Sequence, residues 1–126
     1  MFLTSLWVGS QFEMLLFAES SSNCQVRTFL EGLDGRAYSQ INSLLTFSAE
    51  HGPPRNTEKV EKLPTLGCWE FKAYQTRVFW DYATGGRILL LYGFTKKKQK
   101  TPSVHLRNGE RLLKIAQSEI PSLPRR

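Results

Sequence analysis

Between Cys68 and Phe94 the chain reads CWEFKAY, TRVFWDY and RILLLYGF, runs of aromatic and branched residues with only short gaps between them. Such side chains suit a pleated surface, and short gaps join antiparallel neighbours, so these runs predict a three-stranded meander. The third run is apolar without alternation over residues 88–92, the mark of a central strand covered on both faces. The remaining residues must therefore supply layers for two sides of a sheet.

The segment upstream offers one such layer. Residues 12–17 read as a first strand, followed by a serine-rich stretch in which Ser22 and Gln25 have capping-box spacing. Val26, Phe29, Leu30 and Leu33 fall at i, i+3, i+4 and i+7, one face of a short helix. After Asp34-Gly35 a second helical pattern runs through Ala37, Ile41, Leu44, Leu45 and Ser48, and Gly52-Pro53-Pro54 ends it. Residues 55–66 are polar and irregular, with a short edge strand expected over 60–63. Downstream of the meander, Thr101 can cap a helix that has Pro102 at its first position. Gly109 interrupts the apolar stripe of Leu112, Leu113 and Ala116 at a cost of roughly 1 kcal/mol against Ala, which points to close packing there. The order predicts one α+β domain, a helical hairpin against an antiparallel sheet with a C-terminal helix.

A chain of 126 residues holds one core. The domain is expected over residues 12–117, with 1–11 an extension or the product of an upstream start codon, and 118–126 a basic tail. The apolar opening MFLTSLWVGSQFEMLLFA lacks a basic leader, and Glu13 interrupts it short of the ~20 apolar residues a membrane span needs. The expectation is a soluble, cytoplasmic protein with no membrane partner. Cys24, Cys68, His51 and His105 show no metal-ligand spacing, so no metal site or disulfide framework is expected, and His105 is expected on the surface.

Charge is divided unevenly along the chain. Residues 1–85 hold seven Lys and Arg against nine Asp and Glu, a net −2, whereas residues 86–126 hold ten against two, a net +8. A central strand ending near Phe94 delivers Lys96, Lys97, Lys98 and Lys100 to one edge of the sheet, beside the N-terminus of the last helix. Such a rim attracts a phosphate backbone, anionic lipid or an acidic protein partner. If Tyr74 and Gln75 form a two-residue turn, Lys72 faces Arg77 and Glu70 faces Phe79, all on one side of the sheet. Like charges directly opposite repel, so this pair points to an anion site. The plainer alternative pairs Arg77 with Glu70 or Asp81 on an exposed face, and a longer turn would move the register.

The pattern LGCWEFK, TRVFW and GGRILLLYGFTKKKQKTP followed by a helix resembles the phage-derived HigB-like branch of the RelE/ParE toxins, over residues 12–117. The resemblance implies a RelE-like, microbial RNase-like fold in the toxin of a type II toxin–antitoxin system. It also implies metal-independent, ribosome-dependent cleavage of mRNA, no cofactor, and a cognate antitoxin with a helix-turn-helix domain, HigA-like. Carried over by position, the Arg of the family's Tyr-Arg-Val strand motif falls on Arg77 and its lysine cluster on Lys96, Lys97 and Lys100. Where the family usually has Arg after Trp-Glu-Leu this chain has Lys72, and where it often has His before Gly-Phe it has Tyr92.

The chemistry so implied is attack of a ribose 2′-hydroxyl on the adjacent phosphate, which needs a base, cations and a proton donor. Arg77, Lys96, Lys97 and Tyr92 are the catalytic candidates, with Arg77 on the transition-state charge and Tyr92 as a proton donor. Lys72, Lys98, Lys100 and Arg87 are the RNA-binding candidates. No clustered carboxylates or histidines are expected to compete with them. The rival readings are a ParE-like gyrase-targeting toxin without nuclease activity, and an inactive RNA-binding relative.

Overall fold

The structure, a computed structural model, describes residues 2–120. The expected meander forms β4 (Cys68–Ala73), β5 (Thr76–Ala83) and β6 (Arg87–Thr95), preceded by the edge strand β3 (Val60–Leu63). Ahead of them lie β1 (Phe2–Val8) and β2 (Glu13–Ala18), then the helices α1 (Gln25–Glu31) and α2 (Gly35–His51); α3 (Ser103–Glu119) closes the described chain. The six strands make one sheet in the order β1-β2-β6-β5-β4-β3. All neighbours are antiparallel except β2 and β6, which run parallel from Glu13↔Arg87 to Leu16↔Leu90. The fold is thus α+β as expected, on a mixed sheet.

Phe2–Val8 lies in the stretch set apart as an extension, and it forms an edge strand on β2. At the other end α3 runs to Glu119, and Ile120 just beyond it is buried against the α3 side of the sheet. The remainder of the expected tail, residues 121–126 with Arg125 and Arg126, lies outside the described residues.

Each face of the sheet has its own core. One face buries Met14, Leu16, Phe71, Val78, Trp80, Ile88 and Leu90 against Val26, Leu30, Ile41, Leu44 and Leu45 of α1 and α2. The other buries Leu15, Phe17, Phe79, Leu89, Leu91, Tyr92 and Phe94 against Leu112, Leu113 and Ala116 of α3. Alternation along β6 is reset by a bulge: Phe79 pairs with Tyr92 but Trp80 with Leu90, which leaves Leu91 as the extra residue. The reset turns Tyr92 and Phe94 toward α3 and Gly93 toward α1.

Two caps differ from expectation. Cys24, not Ser22, is the N-cap of α1, and no side chain caps it. Gln25 instead donates from Nε2 to the Gly93 carbonyl at 2.7 Å and accepts the Gly93 N–H on Oε1 at 2.9 Å. The parallel pair has ended at Leu90, so the outward peptide groups of Gly93 lack a strand partner, and the Gln25 amide supplies one. Thr101 likewise caps nothing, because α3 begins at Ser103 with Pro102 as N-cap. Asp34 does cap α2, accepting from Ala37 N–H at 2.8 Å.

Candidate active site

The β4–β5 turn has the expected register, with Lys72 opposite Arg77 and Glu70 opposite Phe79 across a Tyr74-Gln75 turn. Arg77 is in turn opposite Phe94 of β6. Glu70, Lys72, Arg77, Phe94 and Tyr92 therefore share the α3 side of the sheet. The end of β6 is held there as well, since Lys96 N–H donates to the Gln75 carbonyl at 2.7 Å. Lys96 is half-buried, whereas Lys97, Lys98 and Lys100 are exposed.

Arg77 does not stand on an open face. Its side chain is only 14% exposed, and its Nη1 donates to the carbonyls of Tyr74 and Thr76. Its Nε lies 4.0 Å from Glu70 Oε1, an ion-pair contact too long for a hydrogen bond. The plainer expectation, pairing with Glu70, is thus realised, in a partly buried setting. Lys72 is also engaged, by Glu61 at 2.9 Å, so the repulsion between the two opposed cations is offset by a carboxylate behind each.

Glu70 is the residue that the sequence left out of the site. It is 4% exposed, and burial raises its pKa against the opposing pull of Arg77, Lys96 and Lys72. Glu61 is its cross-strand neighbour and adds to the rise, so two carboxylates do come together here, contrary to expectation. The hairpin register is the signal that could have found the pair.

The other missed group is His105. It is half-buried, not a free surface residue, and burial lowers its pKa. Its Nδ1 lies 2.8 Å from the Tyr92 hydroxyl, which Asn108 Nδ2 also approaches at 3.4 Å. Tyr92 is 6% exposed, and these are the polar neighbours of its hydroxyl. The contact depends on Gly109: a Cβ there would lie 2.5 Å from Phe79 Cδ2, so only glycine lets α3 settle this close to the sheet. No periodicity in the sequence could have signalled a meeting of Tyr92 with His105, since it is set by how the helix docks.

Arg87 is not brought to this site. It starts β6, donates from Nε to the Thr84 carbonyl at 2.8 Å, and lies at the far end of the strand from the lysines. Nine residue-to-residue steps of extended chain separate it from Lys96, roughly 30 Å. A depression of about 680 Å³ adjoins the site between α2 and the β4–β5 turn, where Phe47, Pro54, Lys59, Lys72 and Tyr74 line it. Among the described residues no three His, Cys, Asp or Glu side chains gather into a metal-ligand set, and no helix is long and apolar enough to cross a membrane.

A six-stranded mixed sheet with a helical hairpin on one face and a C-terminal helix on the other is consistent with a RelE-like fold. The chain matches the model of the phage-derived Gp49-like protein family (DUF891) over residues 28–114 and belongs to that family, which is RelE/toxin-like. The matched region runs from within α1 into α3 and so takes in Glu70, Arg77, Tyr92, the lysines and His105. No curated protein matches the chain.

Proposed function

We propose that this protein is the toxin of a type II toxin–antitoxin module and cleaves mRNA on the ribosome, in the cytoplasm and without a metal ion. The observation that carries this reading is the convergence of Arg77 with the lysine run. Arg77 is the cross-strand neighbour of Phe94, and the chain leaves β6 directly into Lys96, Lys97, Lys98 and Lys100. In this reading Arg77 meets the charge that grows on the phosphoryl oxygens. Lys96 and Lys97 hold substrate phosphate and ribosomal RNA, with Lys98, Lys100 and Lys72 in support.

The antitoxin is a HigA-like helix-turn-helix protein, and an acidic segment of it covers the rim and keeps the ribosome out. A complex that blocks activity with all four lysines still accessible to chemical labelling would refute inhibition by charge masking.

The decisive experiment is translation-coupled cleavage of a reporter mRNA by the parent, Arg77→Ala and Arg77→Lys. Arg77→Ala should lose about 3 to 4 kcal/mol of transition-state stabilisation, and Arg77→Lys should recover only part, because an ammonium cannot span two oxygens. Removing Arg77 strands the Glu70 carboxylate, so the double variant Arg77→Ala/Glu70→Gln separates a folding defect from a catalytic one. One observation favours the ParE-like reading: the guanidinium is already engaged by two carbonyls and Glu70. Growth arrest with mRNA intact and replication stopped would establish it.

A further inference from the structure

Tyr92 and His105 form a polar pair that the roles above leave idle. The imidazole is stacked on Phe94 with centroids 4.4 Å apart and planes 17° apart, and its Nδ1 is 2.8 Å from the Tyr92 hydroxyl. Both the plane and the rotation of the ring are therefore fixed. The phenolic oxygen has two lone pairs, enough to accept from Nδ1–H and from Asn108 Nδ2 together. In the tautomer with the proton on Nδ1, Nε2 keeps a lone pair, for which the structure gives no partner among the described residues. Phe94, under the ring, is the cross-strand neighbour of Arg77, so His105 stacks on the residue that pairs with Arg77.

We infer that His105 is the catalytic base of the RNA cleavage, with Tyr92 as the residue that positions it, an inference that rests on the endoribonuclease reading. The 2′-hydroxyl oxygen attacks phosphorus as its proton passes to Nε2. The new P–O2′ bond forms, the P–O5′ bond breaks, and the departing 5′-oxygen takes a proton from water. The imidazolium then returns its proton to the hydroxide so produced, leaving a 2′,3′-cyclic phosphate and a 5′-hydroxyl end. Arg77, one strand over, meets the charge on the phosphoryl oxygens as the base acts.

The environment supports a neutral imidazole in this role. Burial disfavours the charged form of His105. The titratable and charged groups on the surrounding elements are Tyr92 on β6, Lys96 just beyond it, Arg77 on β5 with Glu70 of β4 behind it, and Arg107 and Glu110 on α3 itself.

Single-turnover cleavage of ribosome-bound reporter mRNA between pH 5 and 9 tests the inference, using the parent, His105→Gln and Tyr92→Phe, with a thermal melt of each. In the parent the rate should fall tenfold per pH unit below the imidazole pKa. His105→Gln should cleave at least about 100-fold more slowly at pH 7 and lose that limb. Tyr92→Phe should retain the limb but shift it to lower pH, because the acceptor that stabilises the imidazolium is gone. Nitrogen-15 NMR of the parent should show His105 protonated on Nδ1 above its pKa. A folded His105→Gln that cleaves at the parent rate overturns the inference, as does an Nε2–H tautomer; if that variant fails to fold, the tautomer and Tyr92→Phe decide. A parent that cuts no mRNA at any pH sinks the ribonuclease reading and this inference with it, whereas a cutting parent matched by His105→Gln sinks the inference alone.

Discussion

On one face of β6, Ile88, Leu90 and Gly93 meet α1 and α2; on the other, Leu89, Leu91, Tyr92 and Phe94 meet α3. The first face is a layer of apolar contacts, closed near its end by the Gln25 amide on Gly93. The second is apolar under Leu112, Leu113 and Ala116 but turns polar where α3 begins, at His105 and Asn108, and toward β4 at Glu70 and Arg77. A single bulge at Leu91 separates the two regimes on one strand. The helical hairpin thus secures the sheet, while the partial cover of α3 leaves room for buried charge.

The sharpest way to break this division is to damage the hairpin face alone. Trp80 is fully buried and stacks on Phe71 and Trp69, so Trp80→Ala should cost about 3 to 5 kcal/mol in chemical denaturation. Activity per folded molecule should hold; a loss beyond the unfolded fraction would show that the faces are coupled.

A smaller insult on the same face is Gly93→Ala. Its Cβ would fall within the Phe29 ring, so the change should cost about 1 to 3 kcal/mol although alanine ordinarily outranks glycine in a strand. Phe29→Ala in the same chain should relieve the clash, and purely additive losses in a double-mutant cycle would place the strain elsewhere.

On the α3 face the expected change reverses sign. Glu70 has its pKa raised above the ordinary 4.5, so it contributes stability while protonated and loses it as pH rises through the raised value. Glu70→Gln keeps the shape without that loss. Its melting temperature should match or exceed the parent's at pH 7, with the gap closing below the ordinary carboxylate value. A variant less stable at pH 7 would mean that the Arg77 contact outweighs burial.

The smallest effect on the fold belongs to the rim. Replacing Lys96, Lys97, Lys98 and Lys100 by Ser should move stability by no more than about 0.5 kcal/mol at each of the three exposed sites, as usual for surface positions, with a larger share from half-buried Lys96. It should nonetheless flatten the slope of log RNA affinity against log salt by about 3, near 0.7 for each lost phosphate contact. An unchanged slope would put the RNA contacts elsewhere.

Much of this architecture was legible in local pattern. The meander, the edge strand Val60–Leu63, the helical hairpin and the Tyr74-Gln75 register follow from alternation, turn chemistry and spacing, all of which act over a few residues. Close packing at Gly109 was legible too, because a glycine inside a helix needs a reason. What stayed hidden depends on contacts between distant parts of the chain. Ser22 and Gln25 have cap spacing, but the unmatched peptide of Gly93 draws Gln25 away. Arg87 looked like part of one basic segment, yet a strand's length holds it apart from the lysines. His105 looked exposed because its contact with Tyr92 arises only once α3 docks.

The parallel pairing of β2 with β6 has a consequence for how the chain is made. β2 is complete at Ala18 and its partner only at Thr95, with β3, β4 and β5 translated between them. At ~5–20 residues per second the ribosome takes roughly 4 to 15 s to supply the missing strand. During that interval Met14, Leu15, Leu16 and Phe17 can pair only with β1, and one edge of an apolar ribbon stays open. Folding must then close a loop of more than 70 residues, a contact order that favours slow collapse around β5 and β6 with β2 arriving last. The N-terminal hairpin is therefore where synthesis is most exposed to misassembly, and a holding chaperone would find its grip there.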